Sequence, residues 1–353
     1  MHIQSINLSQ KQYSIMIQKG LLADIGKHIQ SHYHNLKIAI VTDTNVDSLY
    51  GNIFVDSLSS QGFVVTKIVV PAGEKSKCMT MLESLYNQFL DFKLSRSDLV
   101  IAFGGGVIGD LVGFAAATFL RGVHYIQVPT TLLAQIDSSI GGKVAVNLPN
   151  GKNLVGTFYH PDAVFIDPNL LETLPPRVLH DGIGEVIKYS MISQTSLFDD
   201  LTSYRDDQEF LANIESIISI CCQIKQQYVE EDEKDTGARM TLNFGHTIGH
   251  AIENFFHYET YTHGEAISIG MARITEQSEA LGITEPGTAK RLIDLIKKFQ
   301  LPVVATEYNH QALLESITLD KKVAQQHLNI ILLAGIGKPF IKKVSINDMS
   351  LYL

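Results

Sequence analysis

Five short runs rich in Val, Ile and Ala, KIAIVTD (37 to 43), VVTKIVV (64 to 70), DLVIAF (98 to 103), VHYIQVP (123 to 129) and AVFID (163 to 167), constrain the first half of this chain more than anything else in it. Between them lie segments such as MLESLYNQFLDF (81 to 92), whose apolar residues recur at spacings of three and four. Short β-branched runs read as strands and the three-to-four spacing as helix, so the first half predicts an α/β fold with a mostly parallel sheet and helices on its faces. The start, MHIQSINLSQKQYSI, also alternates like a strand and lacks the basic and continuous apolar segments of a secretory signal; the expectation is a cytoplasmic protein.

At 353 residues the chain exceeds the size at which one hydrophobic core stops growing, so two domains are expected. The strand runs stop near LETLPPR. From LPPRVLHDGIGEVIKYSMI onward the pattern is helical through IESIISICCQIKQQY, MTLNFGHTIGHAIENFF and GEAISIGMARITEQSEALG, before LNIILLAGIG (328 to 337) offers a late strand pair. The expected division is an α/β domain over 1–172 and a mainly α-helical domain over 173–353.

Charge and hydropathy remove several classes of partner. The formal net charge is -9 and no run of Lys or Arg is long enough to follow a phosphodiester backbone, which argues against nucleic acid. The longest apolar stretch, VIGDLVGFAAATFL, is interrupted by Asp110 and too short to span a bilayer, so no membrane partner is expected. Cys78, Cys221 and Cys222 cannot all pair, and their spacing suits no metal site; they read as reduced packing residues.

AFGGGVIGD places Gly104, Gly106 and Gly109 in G-x-G-x-x-G order between a strand and the helical DLVGFAAATFL. Glycines there let backbone amides approach a pyrophosphate, to which a helix N-terminus adds partial positive charge. A plain strand-to-helix turn explains the same residues. The turn follows about the third strand and no acid lies near position 126, so Asp43, at the carboxyl end of the first run, is the candidate partner for a ribose hydroxyl.

LNFGHTIGHAIE carries His246 and His250 on one helical face, THGEA adds His263, and GIGEVIKY adds Glu185 with Lys188 three residues on. A glutamate and two histidines satisfy a catalytic zinc, which needs three protein ligands and an open position. Spacing alone leaves open which two of the three histidines bind. In an acidic chain, Lys143, Lys152, Lys188, Lys225 and Arg239 in Gly-rich, polar contexts point to a small anion.

These stretches together resemble the 3-dehydroquinate synthase family of the sugar-phosphate cyclases. The resemblance runs in order through GGGVIGDLVGFAA, RGVHYIQVPTTLLAQIDSSIGGKVAVN, GKNLVGTFYHP, LETLPPR, GIGEVIKY, LNFGHTIGHAIE, HGEAISIGM and DKK at 320 to 322. It implies a Rossmann-like NAD-binding domain, a metal- and substrate-binding domain, NAD, Zn2+ with Co2+ as an alternative, a phosphorylated sugar acid as substrate, and a homodimer. The implied reaction turns 3-deoxy-D-arabino-heptulosonate 7-phosphate into 3-dehydroquinate and phosphate by transient oxidation with NAD, β-elimination, re-reduction and intramolecular aldol closure.

Residue by residue, the resemblance makes Glu185, His246 and His263 the metal ligands and turns His250 toward the substrate as an acid-base or phosphate-contacting group. It gives NAD contacts to Asp43, Gly73, Glu74, Lys77, Gly105, Gly106, Asp110, Thr130, Thr131, Lys143, Lys152 and the segment from Leu170 to Thr173. Arg121, Asp137, Lys143, Asn153, Lys188, Lys225, Arg239, Asn243 and Lys338 fall to the substrate, with Arg121 reaching a partner subunit's site. Catalytic roles go to His250, Lys152, Asn153, Asp235, Lys188 and Arg239. Asp235 stands where the family commonly has Glu, and Ser190 where Gly is common. The rival readings are a metal-dependent polyol dehydrogenase, a sister cyclase making an inosose or valiolone ring, and a non-catalytic NAD-binding regulator.

Overall fold

The expected strand runs are strands in the structure, a computed structural model that describes residues 1–34, 36–193, 195–306, 310–320 and 327–353. They are β1 (His2–Asn7), β2 (Gln12–Ile17), β3 (Lys37–Asp43), β4 (Val64–Val70), β5 (Leu99–Gly104), β6 (His124–Pro129) and, after a hairpin of β7 (Lys143–Leu148) and β8 (Gly151–Phe158), β9 (Ala163–Ile166). The chain divides into two compact units, Met1–Leu174 with Ile218–Lys234, and Pro175–Ile217 with Asp235–Leu353.

In the first unit seven strands form one sheet in the order β1-β2-β9-β6-β5-β3-β4. Only β1 pairs antiparallel; every other neighbour is parallel. Central β5 reads LVIAFG and is buried at every position, as a strand covered on both faces must be. Phe89, Leu111 and Val112 pack on one face of the sheet, and Phe54, Ile101 and Phe103 on the other. The chain goes from β3 outward to β4, then returns to place β5 on the other side of β3. That reversal is the switch point where open parallel sheets receive ligands at their carboxyl ends. Thr42 sits opposite Phe103 across the β3–β5 pair, so Asp43 and Gly104 are neighbours at that point.

Ile218–Lys234, most of the helix Ile214–Glu231, follows the expected boundary in sequence yet counts with the first unit. The Gln4 amide donates to Ser219 O at 2.8 Å, and Asn7 N donates to Glu230 at 2.7 Å, so polar bonds tie the helix to β1. The β7–β8 hairpin forms in stretches whose residues point to ligand contacts rather than to strands.

The second unit is mainly helical, with Pro176–Ile192, His246–Phe255 and His263–Ala280 among its helices. The late apolar run is β10 (His327–Gly335), paired antiparallel with β11 (Lys338–Ser345). All three cysteines are free, with Cys221 and Cys222 buried. Among the described residues no helix is long and apolar enough to cross a membrane.

Candidate functional site

Glycines set how closely the second unit's helices approach. A Cβ on Gly184 would come within 2.8 Å of Gly264 O, one on Gly264 within 2.0 Å of Asp181 O, and one on Gly270 within 2.1 Å of Gly245 O. The backbones therefore touch where side chains would otherwise hold them apart. Gly245, at φ +79, also provides the left-handed turn from which His246 starts its helix. His263 is likewise a first residue: Thr262 and Glu265 form a reciprocal capping box, Arg177 donates to both Glu265 oxygens at 2.7 Å, and the Asp181 carboxylate accepts Gly264 N–H.

Three side chains converge as a result. Oε1 of the fully buried Glu185 lies 3.2 Å from His246 Nε2 and 3.2 Å from His263 Nε2. Two ligands about 2.1 Å from a tetrahedral zinc stand about 3.4 Å apart, so this spacing fits a divalent cation. The far nitrogens are engaged as ligand imidazoles usually are, His246 Nδ1 at 3.1 Å from Phe244 O and His263 Nδ1 at 3.4 Å from Glu253 Oε2. Lys188 Nζ rests on the other Glu185 oxygen. Burial opposes charge on Glu185, but Lys188 and the two imidazoles outweigh it and hold the carboxyl well below its usual range. Burial likewise disfavours a charged His263, and Glu185 and Glu253 overcome it, raising that imidazole well above its ordinary value.

His250 stands apart from this triangle. Its side chain is 50% exposed, its ring is edge-on to His246 with centroids 5.3 Å apart, and its Nε2 is 4.0 Å from Glu253 Oε2. His250, Glu253 and His263 form a second convergence of donors, wider than the first.

In the first unit, Gly104 closes β5 and, after the single residue Gly105, the helix Gly106–Thr118 begins with no side-chain cap. The first N–H groups of a helix have no intrahelical partner, an arrangement that suits an anion. Added Cβ atoms would meet Ile108 at 2.6 Å from Gly104 and Gln127 at 2.8 Å from Gly109, so these glycines serve close packing as well. Asp43 caps the short helix after β3, accepting from Asn45 N and Val46 N. Gly73, at φ +106, turns the chain into Glu74, which accepts from the Asn147 amide at 2.7 Å, while Lys77 pairs with Asp110. Burial raises the Asp110 carboxyl against the opposing pull of Lys77. Thr130 N donates to Gly104 O, and Thr131 lies against Gly105. The Thr130 hydroxyl is buried with no hydrogen-bond partner among the described residues, a polar atom suited to a bound ligand. Leu170 is buried, and Thr173 shares a hydrogen bond with Tyr50 OH.

The cations expected to hold an anion are divided between the two units. Lys225 pairs with Asp137 in the first unit, as Lys188 does with Glu185 in the second. Lys143 opens β7, Lys152 and Asn153 lie on β8, and Asn153 N donates to Asn147. Arg121 is exposed at φ +68. In the second unit, buried Arg239 and the nearby Asn243 lie on the 3-10 helix Ala238–Asn243, against which β10 and β11 pack, and exposed Lys338 opens β11. Lys321 and Lys322 of the DKK stretch lie outside the described residues. Asp235 sits at φ +59, a left-handed conformation that Asp tolerates better than Glu, which gives a backbone reason for the shorter acid.

Glu253 and Asp181 are not among the residues to which the sequence motifs point. Glu253 was legible in principle, since it shares a helix face with His246 and His250 at the end of GHTIGHAIE. Asp181 acts through a backbone amide that only folding brings to it.

Residues 67–181 match the family described as 3-dehydroquinate synthase N-terminal, and residues 182–323 the one described as 3-dehydroquinate synthase C-terminal. The chain is 53% identical over 348 residues to a 3-dehydroquinate synthase of Clostridium acetobutylicum, covering 99% of this chain and 98% of that one. Among solved structures, a 2-deoxy-scyllo-inosose synthase complexed with carbaglucose-6-phosphate, NAD+ and Co2+ superposes with a TM-score of 0.88 at 25% identity, over 99% of both chains. The 2-epi-5-epi-valiolone synthase of Streptomyces hygroscopicus, with NAD+ and Zn2+ bound, gives 0.86 at 25% identity, over 98% of this chain and 97% of that one.

Proposed function

The chain belongs to the 3-dehydroquinate synthase family, and from that premise we propose how its residues share the reaction. The reaction is the conversion of 3-deoxy-D-arabino-heptulosonate 7-phosphate to 3-dehydroquinate and phosphate, a phosphorus-oxygen lyase step on the shikimate route to aromatic amino acids. NAD and a divalent metal are the cofactors. When bound, NAD takes and returns the electrons of one substrate carbinol while the metal polarises that carbinol's oxygen, so no net redox change remains.

Glu185, His246 and His263 hold the metal, with Zn2+ suited to two imidazoles and a carboxylate and Co2+ an alternative. The observation that carries this is the pair of 3.2 Å separations around the buried Glu185 oxygen. The Gly105 and Gly106 amides face the dinucleotide's pyrophosphate, Asp43 a ribose hydroxyl, and Thr130, Thr131 and the Lys77–Asp110 pair line the same switch point. His250, half-exposed beside the triangle, moves a proton at the substrate or holds its phosphate. Lys152, Asn153, Lys188, Arg239, Asn243 and Lys338 are assigned to the substrate's carboxylate and phosphate by the family resemblance, and Asp235 to proton acceptance. A homodimer, in which the exposed Arg121 reaches a second copy, rests on that resemblance too.

The test is a turnover assay on purified protein. Phosphate and dehydroquinate should form in equal amounts without net NADH, stop with a chelator and resume with Zn2+ or Co2+. NADH accumulating without phosphate release would instead indicate a polyol dehydrogenase.

A further inference from the structure

We propose that Glu253 is a positioning residue for the metal centre: its carboxylate accepts from His263 Nδ1 and so holds the ring with Nε2 turned toward Glu185. The inference rests on reading Glu185, His246 and His263 as the metal ligands. Glu253 is 5% exposed and lies on the helix of His246 and His250, whereas His263 starts another. One helix therefore supplies a ligand, a substrate-side histidine and the support for a ligand on its neighbour.

The geometry favours support over direct ligation. Glu253 Oε2 is 3.4 Å from His263 Nδ1, a long hydrogen bond, on the opposite side of the ring from the Nε2 that faces Glu185. A metal held by Glu253 would need that same Nδ1 bare, and its other neighbour, His250 Nε2, is 4.0 Å away, wider than the roughly 3.4 Å between ligands of a tetrahedral zinc. A buried carboxylate that fixes an imidazole's tautomer and ring angle makes it a better ligand, and losing such support typically weakens metal binding about 10- to 100-fold.

The experiment titrates metal-free protein with Co2+, reading its visible absorption and measuring affinity by chelator competition. Glu253→Ala should bind Co2+ about 10- to 100-fold more weakly, still reach full stoichiometry, and show an altered cobalt spectrum. Glu253→Gln, which keeps the volume and an oxygen able to accept from Nδ1, should recover most of the affinity. Unchanged affinity and spectrum in Glu253→Ala would overturn the proposal, and so would loss of stoichiometric binding at saturating Co2+, which would make Glu253 a ligand. Glu185→Ala, run alongside, separates the two readings: if it is emptied of metal, a failed Glu253 result sinks only the positioning role; if it still binds tightly, the ligand assignment falls first.

Discussion

The turn at Gly104–Gly109, as the proposed dinucleotide site, would offer backbone amides from one contiguous stretch, whereas the proposed metal triangle draws its donors from three helices, with Glu185 and His263 lying 78 residues apart. The first kind of site fails when a side chain is added where none fits. The second fails when a side chain is removed, or when helices that hold its donors are pushed apart. Both units use glycine, but at the turn it shapes the site itself, and in the helical unit it shapes the scaffold beneath the site.

The comparison breaks hardest at His263. His263→Ala should leave purified protein without metal and without turnover, because two ligands remain of three. Full metal content in that variant would refute the triangle. His250→Ala should bind metal as the parent does yet turn over about 10²- to 10⁴-fold more slowly, as when an acid-base group is lost; metal loss on that substitution would move His250 into the ligand set.

Scaffold glycines come next. Gly264→Ala places a methyl 2.0 Å from a backbone oxygen and Gly104→Ala places one 2.6 Å from Ile108, each costing about 1–3 kcal/mol of stability. Their functional signatures should separate: Gly264→Ala weakens metal binding and spares NAD affinity, while Gly104→Ala does the reverse. Calorimetric titration of each ligand checks this, and equal damage to both would dissolve the distinction.

A stability control lies just before β9, at the amino end of that strand rather than the carboxyl end. Asp162 accepts from Tyr33 OH at 2.8 Å, contacts His124 Nδ1 at 2.7 Å and pairs with Lys11. Burial would raise its carboxyl, but these partners prevail and its pKa is lowered. Its contribution is therefore present above the unfolded value of about 3.9 and lost as pH falls through the lower folded value. Asp162→Asn should cost about 2 kcal/mol at pH 7 and progressively less below about pH 4, read from denaturation midpoints. A cost independent of pH would mean that charge is not what Asp162 contributes. The smallest effect is expected at Asp235: at φ +59, Asp235→Glu should lower stability by about 1 kcal/mol and change turnover less than tenfold. A gain in stability would show that the longer acid finds compensating contacts.

Much of the first unit was readable because its signals are local. The runs at 37 to 43 and 64 to 70 are β3 and β4 to the residue, and the glycine turn lies between strand and helix as its spacing implies. Less readable was the hairpin of β7 and β8, where Lys143, Lys152 and Asn153 drew attention as binding residues and the strand alternation beneath them went unread. The helix from Ile214 was legible as a helix, but its bonds to β1 come from Gln4 and Asn7, more than two hundred residues earlier.

The sequence by itself determined most of the first unit's sheet strands, the glycine turn and the residue types able to bind a metal, because periodicity, turn chemistry and side-chain donors are local properties. Tertiary structure alone decided that the triangle takes His246 and His263 around one Glu185 oxygen while His250 stays at the rim. His246 and His250 share a helix face, and no spacing within that helix distinguishes them. The choice is made by how far Gly184 and Gly264 let the neighbouring helices approach, and by the caps at Thr262 and Asp181 that aim His263 inward.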